Sequence, residues 1–564
     1  MPQPYFAMTS RARLDRLTET DVASVKSPSS ASMAETAPCQ ARSYGTRPSL
    51  ERFGSGLHRS RLRLWQLVRS VIDSGWGRLG AGAAIAYAAL GTLSFMSKSP
   101  IVPPYPPDLA RLSFYPRIAA PFHGSPTLLA VAFVLLLFSA FVVYFAALQK
   151  AAMAPERIEA PVVWAIVFAA LLVPTPPLAS QDVYSYASYG RLQAIHNHNP
   201  YLVGPSAAPD DPSANYVGRM WWDMPSVYGP TMQVLSLVLA SVASDFSALV
   251  LLLKLSAALA LGISLWLLVK CARLASRSAA LAVVAVGWNP LVVLHIGGGG
   301  HNDIFVATAL LGAVYLHLRH RRLLATLVAV AAALVKLTAL VPLGIYCLLV
   351  WRKRDAHGGP RQALLLGAFS AAVIAGAYAP FWAGISTLGA LARVGGLSTT
   401  ISVPAITGEI IRLGLESLGF EPLRRGQWVA IMRVIFATGF GVYALGLLRR
   451  LGRSDELLPE VVGKVLLAFC LTTGYLLPWY LVWPLLLLSL VPTSRAFALC
   501  NAAAFVYAFT QLPGGYVLLS PSVRAIGEGL GKVTFFTAVF GVGVWLFRRA
   551  FPAPRGRALE TARI

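Results

Sequence analysis

Charged residues are scarce in this chain. Only 13% of its 564 residues are Asp, Glu, Lys or Arg, and 56% are hydrophobic, whereas soluble domains are about 25% charged. Apolar runs close to the ~20 residues that cross a bilayer recur along the sequence. These features exclude a soluble globular protein. Because backbone amides in lipid must be paired within their own segment, the runs are predicted to be helices.

Acidic residues and cysteines are also few. There are 24 acidic against 48 basic residues, giving a net charge of +24. The basic residues lie in short clusters between apolar runs, such as 319–322 and 352–354, which indicates the positive-inside bias of membrane proteins rather than nucleic-acid binding. The five cysteines have no metal-type spacing, so neither a zinc site nor a disulfide framework is predicted.

A sustained apolar period is missing from residues 1–75, which are rich in Ser, Arg, Ala and Thr. This composition predicts a disordered, basic cytoplasmic tail, and no apolar core follows its first charges, as a signal peptide would require. Residues 76–550 are predicted to form one all-α, polytopic membrane domain with about 14–15 transmembrane or re-entrant helices. Residues 551–564 are predicted to be a short cytoplasmic tail.

The basic clusters also predict the topology. If they and both termini lie on the cytoplasmic side, the polar loops 178–229 and 382–427 and the turn 297–303 share the outer face. The scheme requires an odd number of crossings between 230 and 269, where two apolar runs lie. The run 230–244 is short for a span, so we predict a short outer-face or re-entrant helix there.

The loop 178–229 carries the first candidate catalytic residue. Asp182 begins a segment whose spacing places Tyr186 and Tyr189 on the same helix face. A carboxylate that aromatic rings partly desolvate suits a general base. The alternative from the residues alone is an N-cap aspartate that satisfies free amides.

The same loop contains His196 and His198 in the run HNHNPY. Two histidines at this spacing match no strong zinc motif, and Asn-Pro-Tyr is typical of a turn, so metal binding is the less favoured interpretation. Arg191, with the histidines if they are protonated, is predicted to hold a phosphate leaving group.

A glycine run forms the second candidate element. Residues 297–300 are all glycine, and His301, Asn302 and Asp303 follow where the next helix is predicted to begin. Glycines let backbone approach a ligand, so the glycine amides and the helix N-terminus are predicted to receive an anion. The alternative is that Asn302 or Asp303 only caps the helix.

Two lysines interrupt apolar runs. Lys336 lies near the predicted outer end of its run, where it would meet a lipid phosphate, and snorkelling to the interface is the alternative. Lys254 lies deeper, and no role is predicted for it. The aromatic run at Pro478, Trp479 and Tyr480 is predicted to be part of an interfacial belt, and a platform that binds lipid or sugar is the alternative.

The order of these motifs resembles a known family. Taken together, they resemble the polyprenol-phosphate-sugar-dependent glycosyltransferases of the GT-C superfamily, and in particular the bacterial α-(1→6)-mannopyranosyltransferases, over about residues 160–495. The motifs are Asp182-x-Tyr-x-Tyr, Tyr189-Gly-Arg, Asn199-Pro-Tyr, Tyr228-Gly-Pro, Trp288-Asn-Pro, the glycine run into His301-Asn-Asp, Lys336, and Pro478-Trp-Tyr.

The resemblance implies a membrane-embedded, inverting hexosyltransferase at the outer face of the inner membrane. Asp182 would be the catalytic base. The donor would be a hexose carried on a polyprenyl phosphate, and the resemblance indicates mannose. The acceptor would be a glycan or glycolipid. No paired Asp-x-Asp stands at Asp182, which favours a site without metal or other cofactor and leaves a divalent metal as the alternative. The resemblance implies Arg191, His301 and Lys336 as donor-phosphate ligands, and Tyr186, Tyr189, His196, Asn199, Tyr201, Tyr228, Asn302 and Asp303 as substrate-binding residues.

Two other functions stay open from the sequence. A flippase or transporter of lipid-linked saccharides would show repeats and charge at mid-membrane; no repeat is visible, and Lys254 is the residue that best fits it. An oligosaccharide ligase or polymerase would place its main loop later, and the loop 382–427 with its charged residues fits that position.

Overall fold

The computed structural model describes residues 75–510 apart from 98, 154–157, 354–358, 422 and 450–457. Within these residues the secondary structure is helical, and the sole strand-like feature is an isolated bridge between Ala383 and Ile385. The prediction of an all-α fold is confirmed. The two predicted tails, apart from Gly75, and the apolar run at 531–548 lie outside the described residues.

The helices are labelled in chain order. They are α1 Gly75–Ser94, α2 Tyr115–Ala119, α3 Pro126–Met153, α4 Glu159–Leu172, α5 Asp182–Ala194, α6 Pro230–Val242, α7 Phe246–Leu274, α8 Ala279–Gly287, α9 Pro290–Val292 with the π-helix Val293–Gly298, α10 Asp303–Leu318, α11 Arg322–Val335, α12 Leu340–Arg352, α13 Pro360–Tyr378, α14 Gly389–Gly395, α15 Val403–Ser417, α16 Arg425–Leu448, α17 Leu458–Thr472, α18 Val482–Leu488 and α19 Arg495–Ala508.

Four helices in the described residues are long and apolar enough to cross a membrane: α3, α7, α13 and α16. A fifth span results if α8 and the segment Pro290–Gly298, which are bent by 47°, count as one. Seven further apolar helices have 10–17 residues. The prediction of a polytopic membrane protein is confirmed. Some of the 14–15 helices predicted as transmembrane or re-entrant are shorter than the thickness of a bilayer.

The short helices α5 and α6 pack tightly against each other. Both have 13 residues, or about 20 Å at 1.5 Å per residue, so the short helix predicted at 230–244 is present. A Cβ atom at Gly190 would lie 2.4 Å from the Ser236 carbonyl oxygen, so only glycine permits this approach. The N–H of Gly229 donates to the carbonyl of Val335 at 3.0 Å, which joins the start of α6 to the end of α11.

The bend after α8 is fixed inside the core. Trp288 is buried, and its Nε1 donates to the carbonyl of Pro161 at 2.9 Å. The Asn289 side chain caps α9 by accepting from the N–H of Leu291 at 3.0 Å, and its Nδ2 donates to the Tyr144 hydroxyl at 3.2 Å. Because these donors are satisfied in the core, the direction of the bend is fixed where the chain enters the π-helix.

Candidate active site

Asp182 is the first residue of α5, and Gln181 occupies the N-cap position. The N–H of Asp182 donates to Ser180 Oγ at 3.1 Å. Across the described residues, the Asp182 carboxylate makes no capping hydrogen bond, so the capping interpretation is wrong. Instead, its Oδ2 lies 3.4 Å from His301 Nδ1, and the side chain is 19% exposed. Asp182 lines a cavity of about 130 Å³.

His301 faces Asp182 from the turn before α10. Its ring is fully buried and stacks on Trp479, with the ring centroids 3.7 Å apart and the planes 20° apart. The 3.4 Å separation from Asp182 is long for a hydrogen bond. Catalytic hydrogen bonds are often long in an unliganded site and shorten in the complex. The stack fixes the ring, so His301 can orient the carboxylate.

Lys336 lies at the C-terminal end of α11 and lines the same cavity. Its Nζ is 3.0 Å from Asp303 Oδ1, and it lies 4.2 Å from the centre of the Tyr480 ring. Asp303 is fully buried. The lysine therefore points to a buried carboxylate and an aromatic face rather than to the lipid interface, and the snorkelling interpretation is wrong.

The rest of the cavity wall consists mostly of aromatic and aliphatic side chains. Leu391 and Val394 come from α14, which is held in place by Arg433 of α16. The Arg433 guanidinium donates to the carbonyl of Gly396 at 3.1 Å and to that of Gly395. The remaining lining residues are Trp221, Val227, Tyr228, Leu337, Thr338, Tyr475, Leu477 and Tyr480.

Behind Asp182 lies a group of buried polar atoms without hydrogen-bond partners in the described part of the chain. They include both ring nitrogens of His295, the amide of Asn302, Trp479 Nε1 and Asp303 Oδ2. Most buried polar groups in proteins have a partner, protein or water. So many unpartnered atoms beside one carboxylate indicate a site for water or a polar ligand.

The glycine run does not present its amides to a ligand. The N–H groups of Gly299, Gly300 and His301 donate to the carbonyls of Leu294, Ile296 and His295. The predicted anion site on these amides is therefore wrong, because the π-helix and its terminal turn use them. Asn302 occupies the N-cap position of α10 without a side-chain cap, so the capping interpretation is wrong as well.

Arg191 and His196 converge on a carboxylate other than Asp182. Arg191 Nε and His196 Nε2 each lie 2.9 Å from a carboxylate oxygen of Asp211. Arg191 is nine residues beyond Asp182 on α5, or about 13 Å along the axis. The structure brings neither Arg191 nor His196 to the cavity, and the two residues secure the loop that follows α5.

Asp211 is the centre of this loop cluster. Burial by itself raises the pKa of Asp211, but hydrogen bonds from Arg191, His196 and Ser213 stabilise the carboxylate and hold its pKa well below the usual range. A group with a lowered folded-state pKa contributes stability above its unfolded-state pKa, near 4, and loses it as the pH falls through the folded-state value.

The Asp211→Asn variant is expected to lower the free energy of unfolding by about 2 kcal/mol at pH 7, because it leaves Arg191 half-buried without its carboxylate. Thermal melting of the detergent-solubilised protein measures this effect. The difference from the wild type should be present at neutral pH and should narrow as the pH falls below about 4. The exposed neighbour provides the control: Asp210→Asn should melt like the wild type. Equal melting of Asp211→Asn would contradict the assignment.

Of the other residues predicted to bind substrate, only Tyr228 lines the cavity. Tyr186 is buried against it, with the ring centroids 5.0 Å apart. The hydroxyls of Tyr189 and Tyr201 donate to the carbonyls of Met224 and Tyr228, each at 2.8 Å. Asn199 Nδ2 donates to the carbonyl of Phe381 at 2.8 Å. These side chains hold the loop against its neighbours.

For the segment after α17, the sequence favoured an interfacial belt over a site for lipid or sugar. Trp479 is 3% exposed and stacks on His301, and Tyr475 and Tyr480 line the cavity. The belt interpretation is therefore wrong for Trp479. The signal was the concentration of aromatics between two prolines at 478 and 484, which a belt does not require. Nothing marked His295 in the sequence beyond a lone histidine in an apolar run.

Metal ligation receives no geometric support in the described residues. No group of three or more His, Cys, Asp or Glu side chains there is arranged to hold a metal ion. The metal-free site stays a prediction.

Comparison with known proteins confirms the resemblance that the motifs indicated. Residues 80–352 match the family described as "Alpha-(1->6)-mannopyranosyltransferase, N-terminal domain". That range contains Asp182, His301 and Lys336, while Tyr475 and Trp479 lie beyond it.

Individual relatives carry the same description. The chain is 28% identical over 406 residues to alpha-(1->6)-mannopyranosyltransferase B of Corynebacterium glutamicum, covering 66% of each chain. It is 28% identical over 332 residues to alpha-(1->6)-mannopyranosyltransferase A of Mycobacterium tuberculosis, covering 57% of this chain and 63% of the relative. The matches thus span a little under two thirds of the length of these relatives.

Proposed function

We propose that this chain, a relative of the α-(1→6)-mannopyranosyltransferases over residues 80–352, is an inverting membrane glycosyltransferase. It moves a hexose, mannose by relationship, from a polyprenyl phosphate to a hydroxyl of a glycan or glycolipid at the outer face of the inner membrane. One observation carries the proposal: Asp182 and Lys336 line a single cavity whose wall also includes apolar residues such as Leu337 and Leu391.

Asp182 acts on the acceptor. Its carboxylate accepts the proton of the acceptor hydroxyl as that oxygen forms a bond to the anomeric carbon of the donor. His301, fixed by its stack on Trp479, holds the carboxylate in position 3.4 Å away. The carboxylate at the first residue of α5 is partly exposed, so an acceptor reaches it directly.

Lys336 acts on the leaving group. As the bond between the anomeric carbon and the phosphate oxygen breaks, the electron pair passes to that oxygen and the polyprenyl phosphate gains negative charge. An ammonium group already held in place stabilises this charge without reorganisation. The ammonium group of Lys336 is held in place by Asp303 Oδ1, which lies 3.0 Å from Nζ, and the face of the Tyr480 ring lies against it.

The apolar wall suits the donor's lipid. Leu337, Leu391, Val394 and Leu477 line the same cavity as Lys336, so aliphatic side chains are available to the isoprenoid chain of a donor whose phosphate lies at the ammonium. Tyr228 and Tyr475 of the same lining are available to the sugar. A cavity with both kinds of side chain suits an amphipathic substrate.

The transporter alternative relied on Lys254 as a charge at mid-membrane depth, and the contacts of this lysine do not favour that role. Lys254 donates to the carbonyls of Leu172 and Thr175 at 3.1 and 2.5 Å, so its amine is bound to backbone rather than presented to a passage. The ligase or polymerase alternative relied on the loop 382–427. Leu391 and Val394 of this loop line the cavity, but its charged residues Glu409, Arg412 and Glu416 do not, and Arg412 pairs with both glutamates on one face of α15.

The test is transfer by the wild-type protein reconstituted in liposomes. Radiolabelled polyprenyl-phosphate mannose and the glucose analogue are supplied with a mannan oligosaccharide acceptor. We expect label in the acceptor from the mannose donor, with α configuration at the new bond when the donor is β-linked. If a fluorescent donor moved between leaflets and no sugar were transferred, the proposal would be rejected in favour of a flippase function.

A further inference from the structure

A buried lysine links the two segments that carry Asp182 and His301. Lys254 lies in α7, and its side chain is fully buried. The Nζ atom donates to the carbonyl of Leu172 at 3.1 Å, the carbonyl of Thr175 at 2.5 Å and Thr175 Oγ1 at 3.2 Å. All three acceptors belong to the end of α4 and the connection that leads to Asp182. The Leu172 carbonyl also accepts from the N–H of Thr175 at 3.3 Å and from its Oγ1 at 2.7 Å, so Lys254 completes a group of hydrogen bonds at the end of α4.

The stem of the same lysine packs on the turn that leads to His301. Gly300 has φ of +69° there, and a Cβ atom at this position would lie 2.9 Å from Lys254 Cγ. The turn and the connection are also joined directly, because the N–H of Leu178 donates to the carbonyl of Gly298 at 3.2 Å. Lys254 is therefore in contact with the backbone on both sides of the Asp182–His301 pair.

We propose that Lys254 is a positioning residue that fixes the separation of Asp182 and His301 by binding the α4–α5 connection to the Gly300 turn. Its effect on catalysis rests on the function proposed above, whereas its effect on the connection does not. Without the amine, the carbonyl of Thr175 loses the hydrogen bond from Lys254, the carbonyl of Leu172 keeps only its bonds from Thr175, and the connection loses its hydrogen bonds to α7. A displacement of about 1 Å at a reacting group costs up to about 100-fold in rate.

The experiment replaces Lys254 with methionine, which keeps the length of the side chain and removes the amine. We expect kcat to fall about 30-fold while the KM for the donor changes less than about threefold, because the cavity that binds the donor is intact. Amide hydrogen exchange should accelerate at Leu178 and Ala179. Lys270→Met on the same helix, at a half-buried site beside Trp266, is the control and should leave both readouts unchanged.

A second pair of variants decides the question if Lys254→Met does not accumulate. Thr175→Val removes one acceptor of the amine, and Thr175→Ser retains it. We expect faster exchange at Leu178 and a lower kcat for the valine variant, and wild-type behaviour for the serine variant. Equal exchange and equal kcat in both would overturn the proposal.

A double variant identifies the route of the effect. If Lys254 acts through Asp182, Lys254→Met should cost little further activity in an Asp182→Asn background, since residues that act as a unit are not additive. Full additivity would overturn the positioning role. Faster exchange in Lys254→Met, combined with a wild type that transfers no sugar, would support the positioning role and reject the transferase function.

Discussion

Asp182→Asn is expected to reduce kcat about 1,000-fold, within the range that general-base catalysis contributes. The amide keeps the shape and the place at the start of α5 but cannot accept the proton of the acceptor hydroxyl. Because the carboxylate caps no helix among the described residues, the substitution should leave folding intact. Initial rates of mannose transfer at saturating donor, at equal amounts of protein, measure the effect.

The loop offers a matched control for this variant. Asp223 lies in the same loop, is exposed and is absent from the cavity lining, so Asp223→Asn should transfer within about twofold of the wild type. Asp182→Glu keeps a carboxylate but lengthens the side chain toward His301, and its rate should fall between the other two. Undiminished transfer by Asp182→Asn would remove Asp182 from the mechanism.

Lys336→Met is expected to reduce kcat by about 100-fold or more, the typical cost of removing one preorganised group that stabilises developing charge. The loss should appear in kcat and in kcat/KM alike, because the ammonium acts on charge that develops as the phosphate leaves. A rise in KM with unchanged kcat would contradict this, since it would mean that Lys336 only binds the donor.

A loss of stability could imitate this result, because Lys336→Met leaves the carboxylate of Asp303 buried without its cation, a change that costs about 3–5 kcal/mol in other proteins. The double variant Lys336→Met with Asp303→Asn removes both charges. It should melt at a higher temperature than the single variant yet remain equally inactive. Recovery of transfer in the double variant would show that the single variant had failed through stability alone.

The all-α membrane fold could be predicted from the sequence because its signal is local. Apolar runs between basic clusters determine helices without any knowledge of neighbours. The same charge pattern placed Asp182, His301 and Lys336 on one side, and the structure brings all three together at the cavity and its rear wall. The predicted membrane topology was therefore enough to group these three residues without knowledge of their tertiary contacts.

The other parts of the site depend on partners distant in sequence. Arg191 contacts Asp211 rather than a phosphate site, because the loop after α5 folds back on the helix, and helical periodicity does not give the path of a loop. Trp479 reaches His301 across 178 positions of the chain, a contact set by the packing of α18 and its preceding turn. The glycine amides were misjudged for a local reason: the π-helix and its terminal turn use them in hydrogen bonds, and no residue pattern marks the i→i+5 hydrogen bonding of a π-helix.

The size of the cavity bears on how a sugar would be accommodated beside Asp182. A cavity of 150 Å³ admits benzene, and a hexose has about twice as many heavy atoms, so the roughly 130 Å³ beside Asp182 is smaller than the sugar it would bind. A bound hexose would therefore extend out of the cavity or displace part of its wall. The α14 segment, with Leu391 and Val394, is held from outside by hydrogen bonds from Arg433 to two backbone carbonyls. Breaking those bonds would be a step separate from glycosyl transfer, and its rate would set an upper limit on turnover.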